Sequence, residues 1–156
     1  MKTIPCALAL ISLLLAGCAT PSAFQAPAQS VEAEAPTRNA LNERISYYSH
    51  VYDVPESLVR RSILRESGYN PKAHIGPLWG LMQIRLDTAR GMGYRGPARD
   101  LLDADTNLKY AVAYLSNAYV VAAGNPDRAL ALYASGYFYE ARRKGLLDRL
   151  RTAERG

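Results

Sequence analysis

The sequence predicts one mainly α-helical domain over residues 38–156, because three observations agree. Apolar residues recur at helical spacing through most of the chain after position 37. No segment shows the convincing alternation of apolar and polar residues that a half-buried strand requires. The domain has about 115 residues, which is long enough to bury a single hydrophobic core.

The first two helices have clear start and stop signals. Thr37 is a candidate N-cap for a helix whose apolar residues lie at helical spacing: Leu41, Ile45, Tyr48 and Tyr52. Asp53 and Glu56 have the spacing of a capping box, with Pro55 in the first turn of the second helix. Gly68 is expected to end that helix.

The rest of the domain is predicted to contain one loop and several helices. Glycine, proline and aromatic residues crowd residues 72–85, which we expect to be a loop with little regular structure. Asp87 is a candidate cap of a short helix, and Asp105 of the clearest helix, 105–124. The apolar stripe of that helix comprises Leu108, Ala111, Val112, Leu115 and Tyr119. Two more helices are predicted at 126–135 and 137–155.

The N-terminal segment has the pattern of a targeting signal. Residues 1–17 are predicted to be a signal peptide, because Lys2 precedes an apolar run that is too short to span a bilayer. The sequence LAGC, which ends at Cys18, resembles the lipobox of bacterial lipoproteins. That resemblance implies a lipid anchor on Cys18, and Ala19 implies the periplasmic face of the outer membrane. Residues 18–37 would then be the lipidated cysteine and a flexible linker. An ordinary secreted protein cut nearby is the alternative.

Charge and composition exclude several function classes. The net charge of +5 is scattered along the chain, and no nucleic-acid-binding motif accompanies it. We therefore expect no nucleic acid partner, whereas a polyanionic carbohydrate or an anionic lipid surface would fit. His50 and His74 are the only histidines, and no cysteine follows Cys18. A metal site built from His and Cys is therefore not expected, and no glycine-rich phosphate loop is present.

Glu66 occupies an unusual position in the second predicted helix. At about 100° per residue, Glu66 lies about 80° around the helix from Leu58, inside the arc that ends at Ile63. A carboxylate that is buried without a partner favours its protonated form. A protonated glutamate near neutral pH is what a general acid requires, as in glycoside cleavage. The alternative is a glutamate that reaches solvent and pairs with Arg65 or Lys72.

Two segments downstream of Glu66 favour a catalytic role for this residue. Glu66-Ser67 is followed by GLMQ at residues 80–83 and by LYASG at residues 132–136. Together with the pattern Asp103, Asn107, Tyr114 and Leu115, these segments resemble the catalytic domain of soluble lytic transglycosylases. The resemblance covers residues 45–145 and implies a lysozyme-like helical fold, of the goose-type class, with a substrate cleft.

The resemblance implies specific roles, with Glu66 as the catalytic acid and base. Substrate-binding or supporting roles are implied for Ser67, Gly80, Met82, Gln83 and Tyr133. Gly80 is expected to let the backbone approach a sugar, and Gln83 to contact N-acetylated sugars. Tyr133 is expected to support the catalytic carboxyl through its hydroxyl group. Ser67 would orient local hydrogen bonds, whereas a methionine such as Met82 is more often a core residue.

Several residues depart from the family pattern on the substrate side. Ala134 and Ser135 replace the usual Asn and Ala, Arg85 stands where many members have Met, and HIGPLW replaces the usual loop before GLMQ. These changes bear on the preference for sugar or peptide and leave Glu66 in place.

The resemblance implies a peptidoglycan lytic transglycosylase that uses no metal or cofactor. Such an enzyme cleaves the β-1,4 bond between N-acetylmuramic acid and N-acetylglucosamine and forms a 1,6-anhydro ring. One glutamate would act first as acid and then as base. Two alternatives remain open: hydrolysis of the goose-type lysozyme kind, and a peptidoglycan-binding or envelope-assembly lipoprotein without turnover. Ala134 is the residue that favours the second alternative.

Overall fold

Six α-helices make up most of residues 37–153, the part of the chain that the structure, a computed structural model, describes. They are α1 (Arg38–Val51), α2 (Glu56–Ser67), α3 (Leu86–Gly91), α4 (Ala104–Val121), α5 (Pro126–Ser135) and α6 (Phe138–Arg143). The mainly α prediction is therefore confirmed. The predicted signal peptide, the lipidation site Cys18 and the linker up to residue 36 lie outside the described residues.

Helix α4 forms the centre of the core and contacts α1, α3 and α5. Four of its predicted stripe residues are fully buried: Leu108, Ala111, Val112 and Leu115. Burying one leucine side chain contributes about 2 kcal/mol, so this helix supplies a large part of the hydrophobic stabilisation. Tyr119, the fifth predicted member, is only partly buried. Within residues 37–153, no helix combines the length and apolar character needed to cross a membrane.

The caps of the helices confirm some predictions and correct others. The Thr37 side chain accepts a hydrogen bond from the Ala40 amide at 3.4 Å, as expected for the N-cap of α1. Asp53 does not cap α2, because its backbone has a φ of 51° and Pro55 holds the N-cap position without a side-chain bond. Glu56 accepts instead from Arg60, at 2.7 Å.

Two other aspartates differ from their predicted capping roles. Asp87 lies in the first turn of α3, which begins without a side-chain cap. Helix α4 is capped by Asp103, whose carboxylate accepts from the Thr106 amide at 2.8 Å. Asp105 forms an ion pair with Arg44 of α1 and so ties the two helices together. Spacing alone does not separate these aspartates, because each precedes or begins a helix.

A small antiparallel sheet lies where the sequence predicts an irregular loop. Its strands are β1 (His74–Ile75), β2 (Leu78–Trp79) and β3 (Ile84–Arg85), in the spatial order β1-β2-β3. Each strand has two residues, which is too short for an alternating pattern to be recognised in the sequence. The sheet brings residues 78–85 against the C-terminal end of α2, where Glu66 lies.

The last predicted helix is shorter than expected. Helix α6 ends at Arg143, and Gly145 follows with a φ of 67° that breaks the helical path. Residues Leu147–Arg149 then form one turn of 3₁₀ helix. The C-terminal segment returns to the core, since Asn117 donates to the Arg151 carbonyl oxygen at 2.9 Å.

Candidate active site

Glu66 lies at the end of α2 and lines a cleft of about 320 Å³. Helix α2 ends at Gly68, whose φ of 58° is the left-handed conformation that glycine adopts most readily. The Glu66 side chain is 20% exposed, so it is partly buried and still open to a ligand. The Glu66 cleft is lined by Glu66, Leu78, Gln83, Ile84, Arg85, Thr88, Tyr114, Tyr133, Ala134, Ser135 and Gly136.

The carboxylate of Glu66 is paired with Arg65, which is one of the two partners that the sequence left open. Its Oε1 atom accepts a hydrogen bond from Arg65 Nε at 3.0 Å and also contacts Arg65 Nη2. Among the described residues, no hydrogen bond involves the second oxygen, Oε2. One oxygen is therefore held by Arg65, and the other remains available for a ligand.

Glu66 is the only carboxylate among the described residues that line this cleft. Asp87, the nearest alternative in the sequence, has an 81% exposed side chain and lies 3.9 Å from Arg90. Within residues 37–153, no group of three or more His, Cys, Asp and Glu side chains is placed to hold a metal ion. The acid chemistry of the cleft thus rests on one carboxyl group.

Ser67 connects the end of α2 to the segment 80–83, which we call the GLMQ segment. Its hydroxyl donates to the Leu81 carbonyl oxygen at 2.7 Å. This bond fixes the GLMQ segment beside Glu66, in agreement with the expected role of Ser67 in local hydrogen bonding. The side chain itself is partly buried and does not line the cleft.

Asn107 of α4 holds the GLMQ segment from the other side. Its Oδ1 atom accepts from the Met82 amide at 2.9 Å, and its Nδ2 atom donates to the carbonyl oxygens of Trp79 and Leu101, both at 2.8 Å. The side chain is fully buried. The motif match included Asn107, but its positioning role was not predicted, because its partners lie far away in the sequence. The sequence signal that could have identified Asn107 is a polar residue beside the apolar stripe of α4.

Gly80 is required by packing rather than by the approach of a sugar. A Cβ atom there would lie 2.2 Å from the Leu101 carbonyl oxygen and 2.3 Å from Asn107 Nδ2. The backbone also has a φ of 69°, which favours glycine. Met82 is likewise a core residue, since its side chain is fully buried. Neither residue lines the cleft, so both act by shaping the GLMQ segment.

Gln83 lines the cleft and contains a buried acceptor without a partner. Its Nε2 atom donates to the carbonyl oxygens of Ala73 at 3.1 Å and Gly80 at 2.8 Å. Its Oε1 atom is buried and has no hydrogen-bond partner among the described residues. Buried polar atoms are nearly always paired, so this unpaired oxygen is an exception in the wall of the cleft. The residue also has a φ of 48°, a strained conformation that is common at functional sites.

Tyr133 lies in the cleft but does not make the predicted hydrogen bond. Its hydroxyl donates to the Met82 carbonyl oxygen at 2.7 Å instead of reaching Glu66. Burial and, second, the nearby charge of Glu66 raise the pKa of Tyr133 well above its usual value. The hydroxyl therefore stays protonated and remains a donor that fixes the GLMQ segment.

Tyr114 of α4 is a cleft residue whose site role was not predicted. Its ring packs edge-on against Tyr133, with 5.4 Å between the ring centroids. It also contacts Tyr137, at 4.6 Å between centroids. The aromatic wall formed by Tyr114 and Tyr133 gives the cleft a surface on which a sugar ring can pack.

Removing the Tyr133 hydroxyl is expected to destabilise the GLMQ segment. Tyr133→Phe leaves the Met82 carbonyl oxygen buried without its donor, which should lower the free energy of unfolding by about 1–3 kcal/mol. Urea unfolding followed by circular dichroism measures this change. Tyr139→Phe is the matched control, because Tyr139 is 81% exposed and its variant should change stability by less than about 0.5 kcal/mol. Equal effects of the two substitutions would contradict the positioning role.

Comparison with known protein families agrees with this geometry. A family model described as the transglycosylase SLT domain matches residues 43–151, which is well over half of the chain. The match includes Glu66, the GLMQ segment, Asn107 and Tyr133. No solved structure gives a significant match. The chain therefore belongs to the transglycosylase SLT domain family, the lytic transglycosylases that act on peptidoglycan.

Proposed function

We propose that this lytic transglycosylase cleaves the β-1,4 bond between N-acetylmuramic acid and N-acetylglucosamine and forms a 1,6-anhydro-N-acetylmuramic acid end. One observation carries the proposal: Glu66 is the only carboxylate among the described residues that line the cleft. Glycosidases that use water place two carboxyl groups about 5–9.5 Å apart across the scissile bond. A reaction that needs no water can proceed with one carboxyl group acting twice.

In the first step, Glu66 gives its proton to the glycosidic oxygen. The bond between that oxygen and C1 of the muramic sugar breaks, and N-acetylglucosamine leaves with the proton. The oxygen of the muramic N-acetyl group stabilises the positive charge that develops at C1. Because Arg65 contacts only Oε1 of Glu66, Oε2 is the atom that we assign to proton transfer.

In the second step, the C6 hydroxyl of the same muramic sugar attacks C1. Glu66, now a carboxylate, accepts the hydroxyl proton and returns to its starting form. The nucleophile belongs to the same sugar, so the entropy cost of capturing a separate molecule is avoided. Gln83 lines the cleft, and we assign to it a contact with an N-acetylated sugar.

Mass spectrometry of digested peptidoglycan tests this proposal. Purified sacculi treated with the protein should release muropeptides with anhydro ends, which are one water molecule lighter than reducing ends. Reducing muramic ends would indicate hydrolysis of the goose-type lysozyme kind. Binding to sacculi without soluble products would indicate the lipoprotein without turnover, and either result would overturn the proposal.

We further propose that the mature protein is anchored by lipid on Cys18, at the periplasmic face of the outer membrane. The support is the sequence LAGC at residues 15–18, which lies at the end of the apolar run at residues 4–16. Several acyl chains on one cysteine would give stable anchoring, whereas one chain would not. Residues 19–36 could then extend to about 60 Å and let the domain reach the cell wall.

Substitution of Cys18 tests the anchor. Cys18→Ala is expected to move the protein from the membrane fraction to the soluble fraction after cell lysis, because no acyl chain can be attached. Fractionation followed by immunoblotting measures this distribution. Cys6→Ala is the matched control, since Cys6 lies in the predicted leader and its loss should leave fractionation unchanged. A Cys18→Ala protein that stays with the membrane would refute the anchor.

A further inference from the structure

Arg85 is a positively charged residue in the wall of the Glu66 cleft. Strand β3 consists of Ile84 and Arg85, and successive side chains of a strand point to opposite faces. Ile84 is buried in the core at 2% exposure, so Arg85 is directed away from the core and is exposed. Both residues line the cleft, together with Leu78, the partner of Arg85 across the β2–β3 ladder.

The guanidinium of Arg85 has no partner among the described residues, either by ion pair or by hydrogen bond. The cleft carboxylate, Glu66, is already paired with Arg65. The remaining polar side chains of the wall, such as Thr88 and Ser135, are neutral. The wall of the cleft therefore includes one cation, Arg85, that forms no ion pair with another described residue.

We propose that Arg85 is a specificity-determining residue that binds a carboxylate carried by the lactyl arm of the muramic sugar. This inference rests on the proposed function. The N-acetylated sugar rings of the strand are uncharged, so the acidic groups of peptidoglycan lie on this arm. They are the lactyl carboxylate itself where no peptide is attached, and the carboxylates of the peptide where the lactyl carboxyl is joined to one by an amide bond. A guanidinium presents a planar set of donors that matches a carboxylate in two parallel hydrogen bonds. The same position occupied by methionine could not make this contact.

The test compares strands that carry different carboxylates. The substrates are peptide-bearing strands, the same strands with their carboxylates chemically amidated, and strands stripped of peptide, which retain the lactyl carboxylate. Wild type should cleave peptide-bearing strands with about tenfold higher kcat/KM than amidated strands, mainly through a lower KM. This preference should weaken as salt is raised, because the contact is partly exposed. The lactyl carboxyl is free only after the peptide has been removed. Stripped strands that are cleaved as efficiently as peptide-bearing strands would show that Arg85 binds the lactyl carboxylate, whereas stripped strands that are cleaved no better than amidated strands assign the contact to the peptide.

Variants of Arg85 separate binding of the carboxylate from catalysis. Arg85→Met should lower kcat/KM on peptide-bearing strands to the value on amidated strands, mainly through a higher KM, and Arg85→Lys should keep part of the preference. Arg99→Met is the matched control, because Arg99 is 84% exposed and does not line the cleft. The inference is overturned if Arg85→Met slows all substrates equally, or if Arg99→Met removes the preference as well. Cleavage by wild type without any preference overturns the role of Arg85 alone, whereas no cleavage of any strand overturns the proposed function.

Discussion

Glu66→Gln is expected to lower kcat on peptidoglycan by about a thousandfold while the protein remains folded. Glutamine has nearly the size of glutamate, but its amide can neither give a proton to the glycosidic oxygen nor accept one from the C6 hydroxyl. Its carbonyl oxygen can still accept from Arg65, which contacts only one oxygen of Glu66. The helix end should therefore keep its position, and the loss should be confined to the reaction.

The measurement is the release of soluble muropeptides from sacculi, with folding checked by thermal unfolding. Glu43→Gln is the matched control, since Glu43 is an exposed residue on α1, outside the cleft. This control should cleave at the wild-type rate. If Glu66→Gln retained more than about a tenth of the wild-type rate, a role for Glu66 as the essential acid and base would be contradicted.

Asn107→Leu is expected to lower the free energy of unfolding by about 3 kcal/mol. Leucine has a similar volume, but it removes the hydrogen-bond partners of Met82, Leu101 and Trp79. A buried backbone group left without a partner costs about 1–3 kcal/mol, and two of these three bonds are fully buried. The GLMQ segment should also lose its position, so kcat should decrease even at temperatures where the variant is folded.

Urea unfolding of Asn107→Leu and of Asn39→Leu measures this effect against a control. Asn39 is exposed on α1, where the same substitution should change stability by no more than about 0.5 kcal/mol. A change below about 1 kcal/mol for Asn107→Leu would show that the GLMQ segment is held by other contacts.

The sequence predicted the helices well because their apolar residues recur with the helical period. Leu108, Val112 and Leu115 of α4 are all fully buried, as expected from their spacing. The sheet could not be predicted, because its two-residue strands carry no period and are defined only by their pairing. Capping was predicted less well, since the choice between Asp103 and Asp105 depends on where Arg44 of α1 lies.

The position of Glu66 was also predictable, because helical geometry alone places it among buried residues. The sequence left open whether Glu66 pairs with Arg65 or Lys72, and the structure pairs it with Arg65. The hydrogen bond of Tyr133 to Met82 joins residues far apart in the sequence, and helical periodicity does not report such contacts. The functional residues were thus identifiable, whereas the way in which the fold holds them required the structure.

Digestion of sacculi in water labelled with heavy oxygen tests the central claim most directly. If the C6 hydroxyl of the muramic sugar is the nucleophile, the anhydro ends will contain no label. Every new muramic end should then have the same mass in labelled and in ordinary water. Heavy oxygen at C1 of the new muramic ends would show that water attacks, and would contradict a reaction in which Glu66 serves as acid and then as base toward the sugar's own hydroxyl.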